Sequence, residues 1–219
     1  MGKRNNSRTE QLRAAVAQEA ARIMSEQGID DYLLAKRKAA ERLGANDTSA
    51  LPKNTEIEAA LVERHRLFNG ASHPSTLRNL RSVALRAMQL LHEFEPRLVG
   101  PVLSGTASEH SEVTLHLFAE TAEAVAVKLL EQGIPHQLAE RRFRYDPDRV
   151  IGYPVFRFVA GSQPIDAVVF PIDGIRQAPA SPIDGRPMAR ADAATLQHLL
   201  EGPSSEMPEG SGRRGQVLQ

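Results

Sequence analysis

Apolar residues recur at three- and four-residue steps through the first 95 residues, which is the spacing of amphipathic helices. Gly28, Gly44 and Pro96 interrupt this pattern at places where helices typically end. Asp30 or Asp31 is expected to cap the second helix, and Asn54 to begin the third. The pattern therefore predicts four helices, over residues 10–28, 32–43, 54–68 and 75–94.

After Pro96 the pattern changes to short apolar runs and alternating segments, which are typical of strands. The alternation predicts a short apolar element, a strand, a helix, a further strand and a two-stranded hairpin, over residues 99–103, 112–118, 119–132, 136–145 and 155–170. A proline-rich irregular segment (171–190) and a short helix (192–200) follow. We therefore expect an α+β protein with a helical region at 10–95, an α+β domain at 96–200, and disordered tails at 1–9 and 201–219.

The composition indicates a globular protein, with 41% hydrophobic residues among 219. Lys and Arg total 27, as do Asp and Glu, so no overall charge draws the chain to nucleic acid or to a membrane. The absence of cysteine excludes thiol nucleophiles and cysteine-ligated zinc. No apolar run approaches the ~20 residues of a membrane span. We expect a cytoplasmic protein with no membrane association.

The order of elements after Pro96 resembles the nucleotidyltransferase superfamily of the DNA polymerase β type, including the minimal nucleotidyltransferases. A Gly-Thr turn in residues 98–118 (LVGPVLSGTASEHSEVTLHLF) precedes a strand, and Asp166 opens the last strand of the hairpin. In that family a Gly-Ser turn contacts the nucleotide, and a strand carrying Asp-x-Asp follows it. A third acidic residue lies on a neighbouring strand. The resemblance implies a mixed sheet flanked by helices and carboxylates that hold Mg²⁺.

Carried over to this chain, the resemblance assigns the third acidic position to Asp166. The Asp-x-Asp pair falls on Glu112 and Thr114 in one register, and on Thr114 and His116 in the other. Neither register contains two carboxylates. The expected catalytic residues are therefore Glu112, Thr114, His116 and Asp166, with Glu112 and Asp166 as the ligands of Mg²⁺.

The expected nucleotide-binding residues are those of the turn and of one basic strand. The turn contributes Ser104, Gly105 and Thr106, whose backbone N–H groups can hold a phosphate. Arg142 and Arg144 share one face of the strand at 136–145 and form a candidate phosphate patch, alongside a second basic cluster near Lys36.

Simpler structural roles remain open for the same residues. The Gly-Thr pair can serve only as a turn, His116 as a buried strand histidine, and Asp166 as a strand-end residue bonded to the turn backbone. Residues 181–188, with an Asp-Gly turn between prolines, are either a covering loop or a lid.

Because the second carboxylate is missing, the leading hypothesis is a divergent, catalytically degenerate nucleotidyltransferase-fold protein with a nucleotide-binding or regulatory role. The first alternative is an active metal-dependent nucleotidyltransferase with an unknown acceptor. The second is a non-enzymatic interaction module whose N-terminal helices bind a protein partner. The neutral charge does not favour a nucleic-acid partner, although the basic clusters leave one open.

Overall fold

The computed structural model describes residues 2–29, 31–45, 51–68 and 73–201, and gives side chains from Thr9 onward except at position 68. It contains helices followed by a five-stranded mixed sheet, which confirms the expected α+β fold with an N-terminal helical region. Asp30 and residues 202–219 lie outside the described residues. None of the helices within the described ranges has the length and apolar character needed to cross a membrane.

The N-terminal half forms the four helices that the apolar spacing predicts. These are α1 (Gly2–Gln27), α2 (Tyr32–Arg42), α3 (Asn54–Phe68) and α4 (His73–Leu90). Asp31 caps α2, because its Oδ1 accepts the backbone N–H groups of Leu33 and Leu34 at 2.8 and 3.1 Å. The first three helices share a core that includes Val16, Ile23, Ala35, Ala39, Ile57 and Leu61.

The first helix starts earlier than the sequence pattern suggests. A disordered tail was expected over residues 1–9, whereas α1 begins at Gly2. Residues 3–9 contain neither proline nor glycine, so the helix extends backward from its apolar stripe without a residue that would stop it.

The second half alternates strands and helices as expected, and a 3₁₀ turn (His92–Phe94) precedes it. Its elements in chain order are β1 (Arg97–Val99), α5 (Gly100–Ser104), β2 (Val113–Phe118), α6 (Ala122–Glu131), β3 (His136–Asp146), β4 (Arg149–Ala160), β5 (Gln163–Phe170) and α7 (Ala193–Glu201).

The five strands form one sheet in the order β1-β2-β5-β4-β3. The central pair, β2 and β5, is parallel, and the other neighbours are antiparallel. β4 begins at Arg149, six residues before the expected position. The sequence pattern does not predict this part of the strand because it contains Gly152 and Pro154, and both residues are unfavourable in strand interiors.

The two faces of the sheet bury different sets of residues. Val113, Leu115 and Leu117 of β2 pack in the main core with α4, α6 and α7. Alternation places Thr114, His116 and Phe118 on the other face, as the sequence predicts. Part of that face is covered by a small apolar cluster of Phe118, Phe143, Val155, Val168 and Phe170. The remainder faces the N-terminal helices.

Candidate functional site

A cavity of about 190 Å³ lies between the polar face of β2 and the N-terminal helices. Four of the residues singled out in the sequence line it, namely Ser104, Thr106, Thr114 and His116. The helical region contributes other walls, including Met24, Glu58 and Leu61. Both halves of the chain therefore build this cavity.

The backbone of the Gly-Thr turn is used differently from the expected phosphate cradle. Gly105 ends α5 in the left-handed region, with φ of 91°. The N–H groups of Gly105, Thr106 and Ala107 all donate to the carbonyl oxygen of Pro101, at 2.9, 3.0 and 3.2 Å. These three donors are used within the chain to close the C-terminal end of α5. The backbone part of the phosphate-binding expectation is therefore not met by this geometry.

Two histidines hold the turn from the other side. His73 Nε2 lies 2.8 Å from the Gly105 oxygen, and His65 Nε2 lies 3.0 Å from the Thr106 oxygen. Because a carbonyl oxygen only accepts, each Nε2 carries the proton in these bonds. The two rings stack with their centroids 4.2 Å apart. Burial, with a smaller contribution from His73, lowers the pKa of His65 below its ordinary value.

Glu58 on α3 ties the helical region to the same turn. Thr106 Oγ1 donates to Glu58 Oε1 at 3.0 Å, and the Tyr32 hydroxyl donates to the other carboxylate oxygen at 2.5 Å. Ser104 Oγ lies 3.0 Å from Thr106 Oγ1 and extends the network. The hydroxyls of the turn therefore remain at the cavity wall, oriented by a carboxylate from the N-terminal half.

Asp166 lies beside Thr114 in the register of the parallel pair and beside Arg157 in the next strand. Arg157 Nε is 3.3 Å from Asp166 Oδ1, and Arg141 Nη1 is 4.0 Å from Oδ2. The Asp166 side chain is only 4% exposed. Two guanidinium groups thus balance the charge of this buried carboxylate.

The donor set on this face does not fit Mg²⁺, which prefers several hard anionic oxygens. Both oxygens of Asp166 face arginines. Glu112 directly precedes β2, is half-buried, and does not line the cavity. Over residues 2–29, 31–45, 51–68 and 73–201, no group of three or more His, Asp and Glu side chains could hold a metal ion.

Arg142 and Arg144 lie on the opposite face of the sheet from the cavity. In β3 the residues on the cavity side are Arg141 and Phe143, both of which line the cavity. The side chain of Arg142 is 78% exposed and pairs with Glu140 at 3.6 Å. The expectation that the two arginines share a face is correct. However, the two arginines lie on the face away from the cavity, because the face depends on how β3 pairs with its neighbours. The arginine on the cavity side is Arg141.

His116 is fully buried and is held by a residue that the sequence does not single out. Arg190 Nε donates to His116 Nδ1 at 3.1 Å. Burial first, and then the charges of Arg190 and Arg141, hold the pKa of His116 well below its usual value. The ring is therefore neutral at pH 7. Arg190 lies in the proline-rich segment 171–190, where neither spacing nor motif marks a functional residue.

Residues 181–189 lie over the cavity, where Ser181, Pro182 and Met188 contribute to its lining. The segment is tied internally, since the Gly185 N–H donates to the Ser181 oxygen at 2.9 Å. Asn54 at the start of α3 donates to the Pro182 oxygen. This segment therefore covers the cavity and connects the helical region to the sheet domain.

Comparison of the chain with protein-family models, with curated proteins and with solved structures finds no match.

Proposed function

We propose that this chain is a divergent nucleotidyltransferase-fold protein that binds a nucleotide, in a regulatory role, without metal-dependent transfer. The observation that carries the proposal is the pairing of Asp166 with Arg157 and Arg141. A carboxylate that balances two guanidinium groups is a poor ligand for Mg²⁺, and two-metal transfer needs several such ligands. The cavity and the hydroxyl groups on its wall are present, and they suit the binding of a nucleotide.

The size of the cavity favours a binding mode in which only part of the nucleotide enters it. Pockets for drug-sized ligands typically have volumes of ~300–1,000 Å³, and this one has about 190 Å³. A base fits such a space better than a whole nucleotide. The Arg141 side chain lines the cavity and is 44% exposed. We therefore propose that Arg141 contacts phosphates that remain in solvent.

Labelled nucleotides test this proposal directly. The protein is incubated with each of the four nucleoside triphosphates, labelled on the α-phosphate, with Mg²⁺ or Mn²⁺ and a broad mixture of acceptors. The proposal predicts that nucleotide is retained on the protein and that no label is transferred. Transfer that disappears in Asp166→Ala would establish the active enzyme instead, with Glu112, Thr114 and Asp166 around a metal.

A second candidate function is suggested by the surface of the helical region. Leu33, Leu34, Leu43, Val62 and Leu67 are large apolar side chains of α2, its C-terminal end and α3, and each is more than 40% exposed. Both helices pack against α1, and large apolar side chains that stay exposed on them would suit a protein partner. This candidate predicts a stable complex with a co-purifying protein and no effect of nucleotides on thermal stability.

A further inference from the structure

The ring of His116 presents a defined hydrogen-bond donor. Its Nδ1 lies 3.1 Å from Arg190 Nε. A guanidinium group only donates, so Nδ1 is the acceptor and the single proton of the neutral ring is on Nε2. Nε2 is buried and has no hydrogen-bond partner among the described residues. Buried donors in folded proteins are nearly always paired, so an unpaired one beside a cavity points to a ligand.

Arg190 is itself held in place, which fixes the orientation of the histidine. Its Nη1 donates to the Gly174 oxygen at 2.8 Å. Its guanidinium carbon lies 5.0 and 5.3 Å from the ring centroids of Phe118 and Phe170. The His116 ring also contacts Phe170, with centroids 4.5 Å apart. These contacts hold the ring in one orientation at the wall of the cavity, which His116 lines.

The remaining walls combine apolar side chains with hydroxyl groups, and the apolar part favours an uncharged, flat group. Met24, Leu61, Phe143 and Ile183 contribute apolar surface to the cavity. An ionised phosphate in these surroundings would lose its hydration without sufficient compensation. A neutral ring with an acceptor atom at its edge meets both conditions, because it tolerates apolar walls and pairs with the Nε2–H.

We infer that His116 is a specificity-determining residue whose Nε2–H binds an acceptor atom on the base of the nucleotide. Arg190 is the positioning residue that keeps the proton on Nε2. This inference rests on the proposed nucleotide-binding function. It adds that recognition is directed to the base, and that phosphate alone is not the bound group.

Two matched substitutions test the donor. His116→Gln keeps an N–H at a similar reach, and His116→Met has a similar length without a donor. His198→Met, an exposed histidine on α7, is the control. Affinities for the nucleosides adenosine, guanosine, cytidine and uridine, and for inorganic tripolyphosphate, are measured by calorimetry. We expect at least one nucleoside to bind, with a loss of about tenfold or more in His116→Met. His116→Gln should lose less than about threefold, and tripolyphosphate should not bind in the cavity.

The tautomer provides a readout that does not depend on binding. In ¹⁵N spectra of histidine-labelled protein, His116 should carry its proton on Nε2, and Arg190→Met should redistribute the proton between the two nitrogens. A proton on Nδ1 in the native protein overturns the inference whatever binds. Equal nucleoside affinity in native protein and His116→Met overturns it while leaving nucleotide binding intact. No binding of any nucleoside or nucleoside triphosphate overturns the proposed function and the base-recognition step together.

Discussion

Arg157 Nε lies 3.3 Å from Asp166 Oδ1, across a register pair that joins β4 to β5. This contact, together with the one to Arg141, makes Asp166 a poor metal ligand. The resemblance to nucleotidyltransferases places a metal-binding carboxylate at Asp166, whereas the structure gives that carboxylate to two cations of the same chain. What remains on this face is a partly apolar cavity lined by oriented hydrogen-bond donors and hydroxyl groups.

Removing Arg157 should destabilise the protein through Asp166. Arg157→Met leaves a buried carboxylate with only Arg141 beside it, 4.0 Å away. Breaking a fully buried pair costs ~3–5 kcal/mol. Because the Arg157 side chain is 54% exposed, we expect a smaller loss of about 1–3 kcal/mol in the free energy of unfolding. Urea denaturation measures this loss.

The companion variants separate this charge effect from lost packing. Asp166→Asn added to Arg157→Met should restore part of the stability, since no unpaired buried charge remains. Arg186→Met is the matched control, because Arg186 is 86% exposed near Asp184, and it should cost less than about 0.5 kcal/mol. Additive losses in the double variant would contradict this account.

Glu58→Gln should loosen both the Gly-Thr turn and α3, the helix that carries Glu58. Both carboxylate oxygens accept hydroxyl protons, from Thr106 and from Tyr32. An amide can accept only at one of the two positions, so we expect a loss of about 1–2 kcal/mol. Hydrogen exchange of the Thr106 and Ala107 amides should accelerate. Glu63→Gln on the same helix, where Glu63 forms an exposed pair with Arg66, should leave both measurements nearly unchanged. An equal effect of the two variants would argue against the link.

The stability of the protein should fall as the pH decreases from 7 to 5. The pKa values of His116 and His65 are lowered in the folded protein, whereas those of the unfolded chain are about 6.5. Below pH 6.5 the unfolded chain therefore binds more protons than the folded protein, and stability rises with pH. His116→Gln should flatten this dependence in urea denaturation at pH 5.5 and 7. The control His198→Gln should show the same dependence of stability on pH as the native protein. An unchanged dependence in His116→Gln would contradict the assignment.

The sequence predicts the sheet face well because alternation is a local property. Thr114 and His116 share one face in any strand over 112–118, and the order of elements brings Asp166 to the neighbouring strand. The choice between Arg141 and Arg142 could not be made, since it depends on the phase of β3 against β4. The alternation of β3 is consistent with either arginine facing the cavity.

The contributions of distant segments could not be predicted. Glu58 meets Thr106 across 48 residues and Tyr32 meets Glu58 across 26. Arg190 reaches His116 across 74 residues. Helical periodicity identifies which residues face inward, but it does not specify which distant turn they meet. These contacts arise from the packing of the N-terminal helices and of residues 181–190 over the sheet.

Nucleotide binding in the absence of metal is the most direct test of the central claim. Calorimetric titrations of the native protein with each nucleoside triphosphate are carried out in excess EDTA and again with Mg²⁺. We predict that at least one nucleotide binds in EDTA, with an affinity within about threefold of that in Mg²⁺, because Asp166 is balanced by Arg157 and Arg141. Binding that requires Mg²⁺, or no binding in either buffer, would contradict the account.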